Sequence, residues 1–313
     1  GVQQLNEFLE KVYNDPNGEF IRSFVPTDQY INAYTSNINY RLNVSAPRSW
    51  RDQHFIKNVA SKFSNVLSWT LDKKITSDDF KDRFNPFAKI IDTVLLSTQS
   101  NFRSTSFFNR SNPSYGFDFV FQNSMGKQLL TNGFETRKVL EQQLNSRANF
   151  LTYFNLKIGL VKNVKALSSD YLSNKNYTIQ AYQFKPEMAF QPIDNFRLTA
   201  GYIYNDKQNI LLADAIEKAK MHEFSAETRI SKVTSRTITA NVKLIKIKFE
   251  GNVNTAVAYE MLEALKPGDN YTWMVNWQEK LTSGLQLTFS YEGRKSEFVN
   301  VVHLGRMQLS ALF

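Results

Sequence analysis

The stretch Val302-His303-Leu304-Gly305-Arg306-Met307-Gln308-Leu309-Ser310-Ala311-Leu312-Phe313 decides the fold. From Gly305 to Phe313 every second residue is small, apolar or aromatic, whereas Arg306, Gln308 and Ser310 between them are polar. Because successive side chains of a strand point to opposite faces, this pattern predicts a β-strand with one apolar and one polar face.

The same alternation recurs along most of the chain. It is clearest in the segments 115–122, 196–205, 223–230, 271–278 and 285–292. In two other segments, 177–190 and 236–249, the apolar residues change parity midway. Since a one-residue slip turns every later side chain to the other face, a β-bulge is predicted in each of these two segments. Pro186 fits a bulge or an edge, where proline is tolerated.

The connections between these segments alternate in length. The short ones are 111–114, 151–153, 192–194, 234–235 and 282–284, and the longer ones are 124–136, 168–175, 206–220, 250–270 and 295–301. Outer-membrane barrels have short periplasmic turns and longer extracellular loops. With Phe313 at the periplasmic end, every longer connection is predicted to be extracellular. Residues 253–264 then belong to an extracellular loop, as a small additional hairpin.

The first hundred residues predict both helices and strands. Helical patterns occur over 2–13 and 55–63, with a helix start at 77–80, and a turn follows the first helix at 15–18. Strands are predicted over 30–44 and 63–72. Residues 1–29 are therefore interpreted as a helical segment outside the sheet, and 30–313 as one β-barrel. Eleven strands after residue 100 or so, with two or three before it, give about 14, with 12 to 16 as the range, because such barrels have an even number.

Composition excludes several kinds of site. The chain has no cysteine, which excludes disulfides, zinc–thiolate sites and cysteine nucleophiles. His54, His222 and His303 are far apart and show no metal-binding or triad spacing. The net charge of +9 comes from lysines and arginines spread along the sequence, without a recognised nucleic-acid-binding motif. The sequence thus predicts no catalytic residue, no cofactor, no metal site and no nucleic-acid partner.

Closure follows from the chemistry of the bilayer. In hydrocarbon every backbone N–H and C=O must be paired within the protein, so an antiparallel meander can cross a membrane only as a closed barrel. The predicted fold is therefore an all-β, antiparallel, up-and-down transmembrane β-barrel in the bacterial outer membrane, with lipid and lipopolysaccharide against its apolar face. The polar face supplies the predicted lumen-facing charges, which are Arg197, Arg229, Lys243, Glu292, Arg294 and Arg306.

Several stretches resemble the C-terminal region of a family of large outer-membrane proteins of the Bacteroidota. They are Phe107-Phe108-Asn109-Arg110, the segments 129–137 and 259–268, Ser290-Tyr291-Glu292-Gly293-Arg294-Lys295-Ser296-Glu297, and 302–313. The resemblance implies that the chain is the membrane-anchoring part of a longer protein. The terminal strand also resembles that of bacterial outer-membrane β-barrels, which implies that the barrel-assembly machinery reads it, with the signal at Gly305, Met307, Leu309, Ala311 and Phe313.

Three functions fit this sequence. The leading one is a barrel without enzymatic activity that anchors or scaffolds an envelope complex together with other envelope proteins, or that forms a narrow channel. The second is an outer-membrane enzyme with its site on the loops 124–136 and 250–270, for which His222 and His303 are weak candidates. The third is a soluble β-protein that binds lipid or a polyanion.

Overall fold

The computed structural model describes residues 32–311, with gaps at 52–53, 89–90, 212–215, 233–234, 283 and 298. The predicted helix over 2–13, the turn at 15–18, the assignment of 1–29 as a segment outside the barrel, and the place of Phe313 lie outside the described residues.

The described chain forms one antiparallel sheet in which every strand pairs with its neighbours in sequence. Its thirteen strands are β1 Tyr34–Ser45, β2 Phe63–Ile75, β3 Leu95–Phe108, β4 Tyr115–Leu130, β5 Gly133–Phe150, β6 Phe154–Ser169, β7 Tyr177–Ile193, β8 Phe196–Asn209, β9 Lys218–Lys232, β10 Arg236–Glu250, β11 Gly268–Thr282, β12 Leu285–Ser296 and β13 Val302–Ala311. The predicted all-β, up-and-down architecture is confirmed. The number of described strands lies within the predicted range, one below the favoured value.

Three short α-helices accompany the sheet: α1 Phe55–Ser61, α2 Phe80–Phe84 and α3 Ala256–Met261. Two 3₁₀ turns lie at Arg48–Trp50 and Ser173–Lys175. The predicted helical spacing over 55–63 and the helix start at 77–80 are confirmed by α1 and α2. Asp79 caps α2, since its carboxylate accepts a hydrogen bond of 2.9 Å from the backbone N–H of Lys81. Within the described ranges, no helix combines the length and the apolar character needed to cross a bilayer.

The register gives each face of the sheet one chemistry. Phe224 lies opposite Leu244, and Leu244 lies opposite Tyr271, so these three apolar side chains share one face. One residue along β10, Lys243 lies opposite Thr272 on the other face. We call the face with Leu244 the outer face and the face with Lys243 the inner face.

Both predicted bulges are wrong. Strand β10 keeps one register with β9 from Arg236 to Glu250, and β7 keeps one register with β6 from Tyr177 to Phe190. The change of parity therefore reflects a change in what covers the inner face. Ile245 and Ile247 are inner-face residues that pack against the segment carrying α3, instead of facing a water-filled space.

The connections divide the sheet into two ends. The lower end has the connections 46–62, 109–114, 151–153, 194–195, 233–235 and 283–284, and the upper end has 76–94, 131–132, 170–176, 210–217, 251–267 and 297–301. The alternation of lengths holds for most of them. It fails at 46–62, which is long because it carries α1, and at the predicted loop 124–136.

Residues 124–136 are strand instead of loop. β4 and β5 continue to a two-residue turn, with Leu130 opposite Gly133. Gly133 has a φ of 121°, which only glycine adopts without strain, and this allows the tight turn. The predicted hairpin within 253–264 is also wrong, since this segment contains helix α3.

Candidate functional site on the inner face

Helix α3 folds onto the inner face near the upper end of the sheet. Thr255 begins it, because its hydroxyl accepts a hydrogen bond of 3.1 Å from the backbone N–H of Ala258. Ala258 and Met261 are completely buried, and Val257 and Leu262 are nearly so. The spacing of these four residues places them on one side of the helix, which is the side turned towards the sheet.

Two apolar clusters join the helix to the strands. Ala258 and Leu262 pack with Met221, Ile245 and Ile247, which come from β9 and β10. Val257 and Met261 pack with Ile179 and Ala219, which come from β7 and β9. Burying a side chain of the size of valine, leucine or methionine contributes roughly 1.5–3 kcal/mol, so these contacts hold the segment in place.

Two lysines of the sheet reinforce this packing. Lys207 of β8 is buried, and its ammonium donates to the backbone carbonyl of Met261 at 2.7 Å and to the carboxylate of Glu263 at 2.7 Å. Lys165 of β6 lies 2.8 Å from the carboxylate of Glu260 and is half exposed. A buried charge is strongly destabilising unless it is paired, so Lys207 requires the segment to stay where it is.

The connection is also held where it returns to the sheet. Asn270 in β11 is buried, and its side-chain amide donates to the backbone carbonyl of Lys266 at 2.8 Å. Helix α3 thus contacts residues of β6 to β10, and the segment that follows it is bonded to β11. The connection 251–267 is a fixed part of the inner face and does not extend away from the sheet.

Strand β10 shows where α3 lies relative to the apolar outer face. Ile238, Val242 and Leu244 point outward, whereas Lys246 and Lys248 occupy the same parity further up the strand. The apolar outward residues therefore end at Leu244. Since α3 packs on Ile245 and Ile247, it lies just above the level at which the outward apolar residues of β10 end.

The six charges predicted to face the lumen all lie on the inner face. Arg197 and Arg229 are directly opposite each other. The register continues this row from Arg229 through Thr239, Asn276 and Ser290 to Arg306. A second row joins Lys243 through Thr272 to Arg294. The lumen-facing role of these residues stays a prediction, and the register brings them together on one surface.

Part of this surface forms a cavity. Lys243, Glu292 and Arg294 line a space of about 470 Å³ between β10 and β13. The ammonium of Lys243 also pairs with the carboxylate of Glu223 at 2.9 Å. The inner face therefore offers charges of both signs to a polar solute, with arginine and lysine prominent among them.

The four described residues of the predicted assembly signal lie on the outer face of β13. Gly305 is opposite Tyr291, Met307 is opposite Phe289, and the same parity continues through Leu309 and Ala311. Met307 is 76% exposed. An added Cβ at Gly305 would meet open space, so packing within this sheet does not require glycine there. The signalling role of these residues stays a prediction.

The two histidines considered for an enzymatic site lie on the outer face. The imidazole of His222 is hydrogen-bonded to the hydroxyl of Tyr202, and that of His303 to the hydroxyl of Tyr291, each at 2.8 Å. In the part of the chain that the structure describes, no three metal-binding side chains come together. The enzymatic alternative keeps the connection 250–270 as its possible site, since 124–136 is strand.

Sequence reasoning did not identify Lys165, Lys207 and Asn270 as residues of this site. A signal for the helix itself was present, because the apolar residues 257, 258, 261, 262 and 265 follow helical spacing. A signal for its docking was the change of parity in β7 and β10, which occurs where α3 covers the sheet.

The fold is similar to that of outer-membrane β-barrels. The ferric citrate transporter FecA in its unliganded form matches with a TM-score of 0.54 and 11% identity, over 85% of this chain and 42% of that chain. This chain therefore spans less than half of FecA. The translocator domain of the autotransporter NalP from Neisseria meningitidis matches with a TM-score of 0.31 and 7% identity, over 90% of this chain and 88% of that chain.

The β-domain of the Bordetella autotransporter BrkA matches with a TM-score of 0.26 and 8% identity, over 90% of this chain and 98% of that chain. The comparison of folds rests on FecA, since the other two scores are low. No protein-family model and no curated protein sequence match this chain. The chain thus has the fold of an outer-membrane β-barrel.

Proposed function

We propose that this chain is an integral β-barrel protein of the bacterial outer membrane, and that helix α3 makes its lumen a narrow channel. In this proposal the chain also anchors or scaffolds a larger envelope assembly, in line with its resemblance to the C-terminal region of large outer-membrane proteins. The observation that carries the proposal is the opposite chemistry of the two faces, with α3 docked on the polar one.

The outer face supports the location in a membrane. Large apolar side chains such as Phe119, Leu144 and Val242 are exposed there, at 45%, 43% and 55%. A soluble protein rarely leaves a continuous apolar surface of this extent open to water. Lipid satisfies this face, while the paired strands satisfy the backbone groups between them. The proposed partners are outer-membrane lipid and lipopolysaccharide, the barrel-assembly machinery during insertion, and other envelope proteins.

The inner face supports a restricted channel. Rows of charged and polar side chains run across its strands, and a polar solute can exchange hydrogen bonds with them in place of water. Helix α3 covers the inner face of β7 to β10 near their upper ends. It occupies space that an open pore would leave to solvent. We therefore expect a small conductance that depends on α3.

Planar-bilayer recordings test the channel. Ala258→Asp places a carboxylate at a completely buried position, which costs several kcal/mol without a partner and should displace the helix. Tyr259→Asp is the matched control, because Tyr259 is the next residue of α3 and is 67% exposed. We expect a larger single-channel conductance for Ala258→Asp and none of this increase for Tyr259→Asp. Equal conductance in both variants would contradict the restricting role of α3.

Membrane integration is tested separately. The folded protein should require detergent for extraction from membranes and should migrate faster on gels before heating than after it, as closed barrels do. Complete extraction by alkaline buffer alone would refute the proposed location.

A further inference from the structure

The connection between β2 and β3 lies on the outer face, opposite to α3. The ring of Phe87 lies 5.3 Å from that of Trp69, and the ammonium of Lys73 donates to the backbone carbonyl of Asn85 at 3.2 Å. Trp69 and Lys73 share the parity of the outward residues of β2, since Trp69 is opposite Phe102. Residues 76–88 are the described part of this connection before the gap at 89–90.

This segment is fixed to the sheet. Lys73 also donates to the backbone carbonyl of Asp82, and its side chain is buried. Leu71 and Ile75, which flank Lys73 on the outer face, are buried as well, at 7% and 1% exposed. The guanidinium of Arg83 lies 4.1 Å from the ring centre of Tyr34 in β1. The segment therefore already covers the apolar residues beneath it.

Three aromatic side chains of this fixed segment remain exposed. Phe80, Phe84 and Phe87 are 71%, 55% and 82% exposed. The rings of Phe80 and Phe84 are 4.5 Å apart, so they form one surface, which together with Phe87 we call the outer-face patch. Exposing three phenylalanines on an ordered segment is unfavourable in water, which indicates that something apolar covers them.

The apolar outer surface continues directly into this patch. Phe87 contacts Trp69, Trp69 is opposite Phe102, and Leu67 lies below Trp69 on the same parity of β2. Apolar aromatic side chains on a surface helix are buried at the boundary between lipid headgroups and acyl chains.

We infer that the outer-face patch inserts into the outer leaflet at the boundary between headgroups and acyl chains, and that membrane lipid is its partner. The inference rests on the proposed membrane location and on the predicted orientation, in which the upper end of the sheet is extracellular. It adds a lipid contact made by a connection rather than by a strand, held by the buried lysine of β2. Continuity with the apolar outer face is the argument for lipid as the occupant.

Site-directed spin labelling tests this directly, because the chain has no cysteine and a single introduced thiol is labelled alone. The variants are Phe87→Cys in the patch, Val242→Cys on the outer face of β10, and Asn254→Cys in the exposed part of the connection 251–267. Each nitroxide-labelled protein is reconstituted into vesicles that contain phosphatidylethanolamine, phosphatidylglycerol and lipopolysaccharide. Collisions with oxygen report lipid, and collisions with a water-soluble nickel chelate report water.

We expect the oxygen-to-nickel collision ratio at position 87 to lie between the high ratio at 242 and the low ratio at 254. In a Phe80→Ser/Phe84→Ser background, the ratio at 87 should fall towards that at 254. Gel migration before and after heating verifies that each variant is folded.

Two results would overturn the inference. A label at 87 that is as accessible to nickel as the label at 254 would place the patch in water. A label at 87 that is immobile and shielded from both reagents would show a protein partner instead of lipid. A low ratio at 242 as well would refute the membrane location itself, so the two failures can be told apart.

Discussion

Replacing Lys207 by methionine should loosen helix α3 without changing the strands. The variant removes the ammonium that bonds the carbonyl of Met261 and the carboxylate of Glu263, and methionine fills most of the same space. The bond to the carbonyl is buried and charge-assisted, and such bonds contribute about 2 kcal/mol. The pairing with Glu263 adds little, because that carboxylate is 58% exposed and water can replace the lysine.

A loss of about 2 kcal/mol raises the population of the undocked helix roughly 30-fold, since each 1.4 kcal/mol is a factor of ten. The population can be measured as the rate at which a thiol at position 257 reacts with maleimide. Val257→Cys preserves the size of the side chain, lies at a position 6% exposed, and introduces the only thiol of the chain. Reaction requires the helix to leave the sheet, so the rate follows the undocked population.

Two further variants in the same background give the scale. Lys165→Met removes a half-exposed pair with Glu260 and should raise the rate only about two-fold, as expected for a loss below 1 kcal/mol. Lys185 also lies on the inner face, but it is about 20 Å along β7 from Ile179, which packs against α3. Lys185→Met should therefore leave the rate unchanged. Equal rates for Lys207→Met and Lys165→Met would refute the argument that burial makes Lys207 the stronger attachment.

Three other substitutions test the sheet and one of its turns. At Gly293 an added Cβ would clash with the indole of Trp273, so Gly293→Ala should lower the free energy of unfolding by roughly 1–3 kcal/mol, whereas Gly305→Ala should leave it unchanged. Urea titration followed by gel migration measures both. Arg147→Met removes the guanidinium that donates to backbone carbonyls of the turn 109–112, and should expose this turn to protease at least ten-fold faster, as expected for a loss of about 2 kcal/mol. Unchanged cleavage would show that the turn is held by other contacts.

The strands could be predicted from sequence because each one alternates between an apolar and a polar parity. This rule depends only on neighbouring residues and on the face that each residue occupies. It identified β11 and β12, and it placed Arg197 and Arg306 on one face although they are more than a hundred residues apart. It failed where a distant segment changes the environment of a face, as at Ile245 and Ile247.

The attachment of α3 could not be predicted in the same way. Lysine on a polar parity is expected to face water, and nothing near Lys207 in sequence indicates that a helix around residue 260 will cover it. The loop predicted over 124–136 is wrong for a local reason. The outward residues Met125 and Leu129 continue the parity of β4, so the strand extends to the turn before Gly133.

The number of described strands has a geometric consequence for the two edges of the sheet. In an antiparallel meander of thirteen strands, β1 and β13 run in the same direction, from the upper end to the lower end. No pairing joins β1 to β13 among the described residues, so each strand has one side of its backbone without a strand neighbour. An antiparallel neighbour of either edge must run upward. In a second copy inserted the same way, both edge strands also run downward, so they cannot pair antiparallel with β1 or β13. Closing the barrel with antiparallel pairs alone therefore requires an odd number of strands in addition to these thirteen.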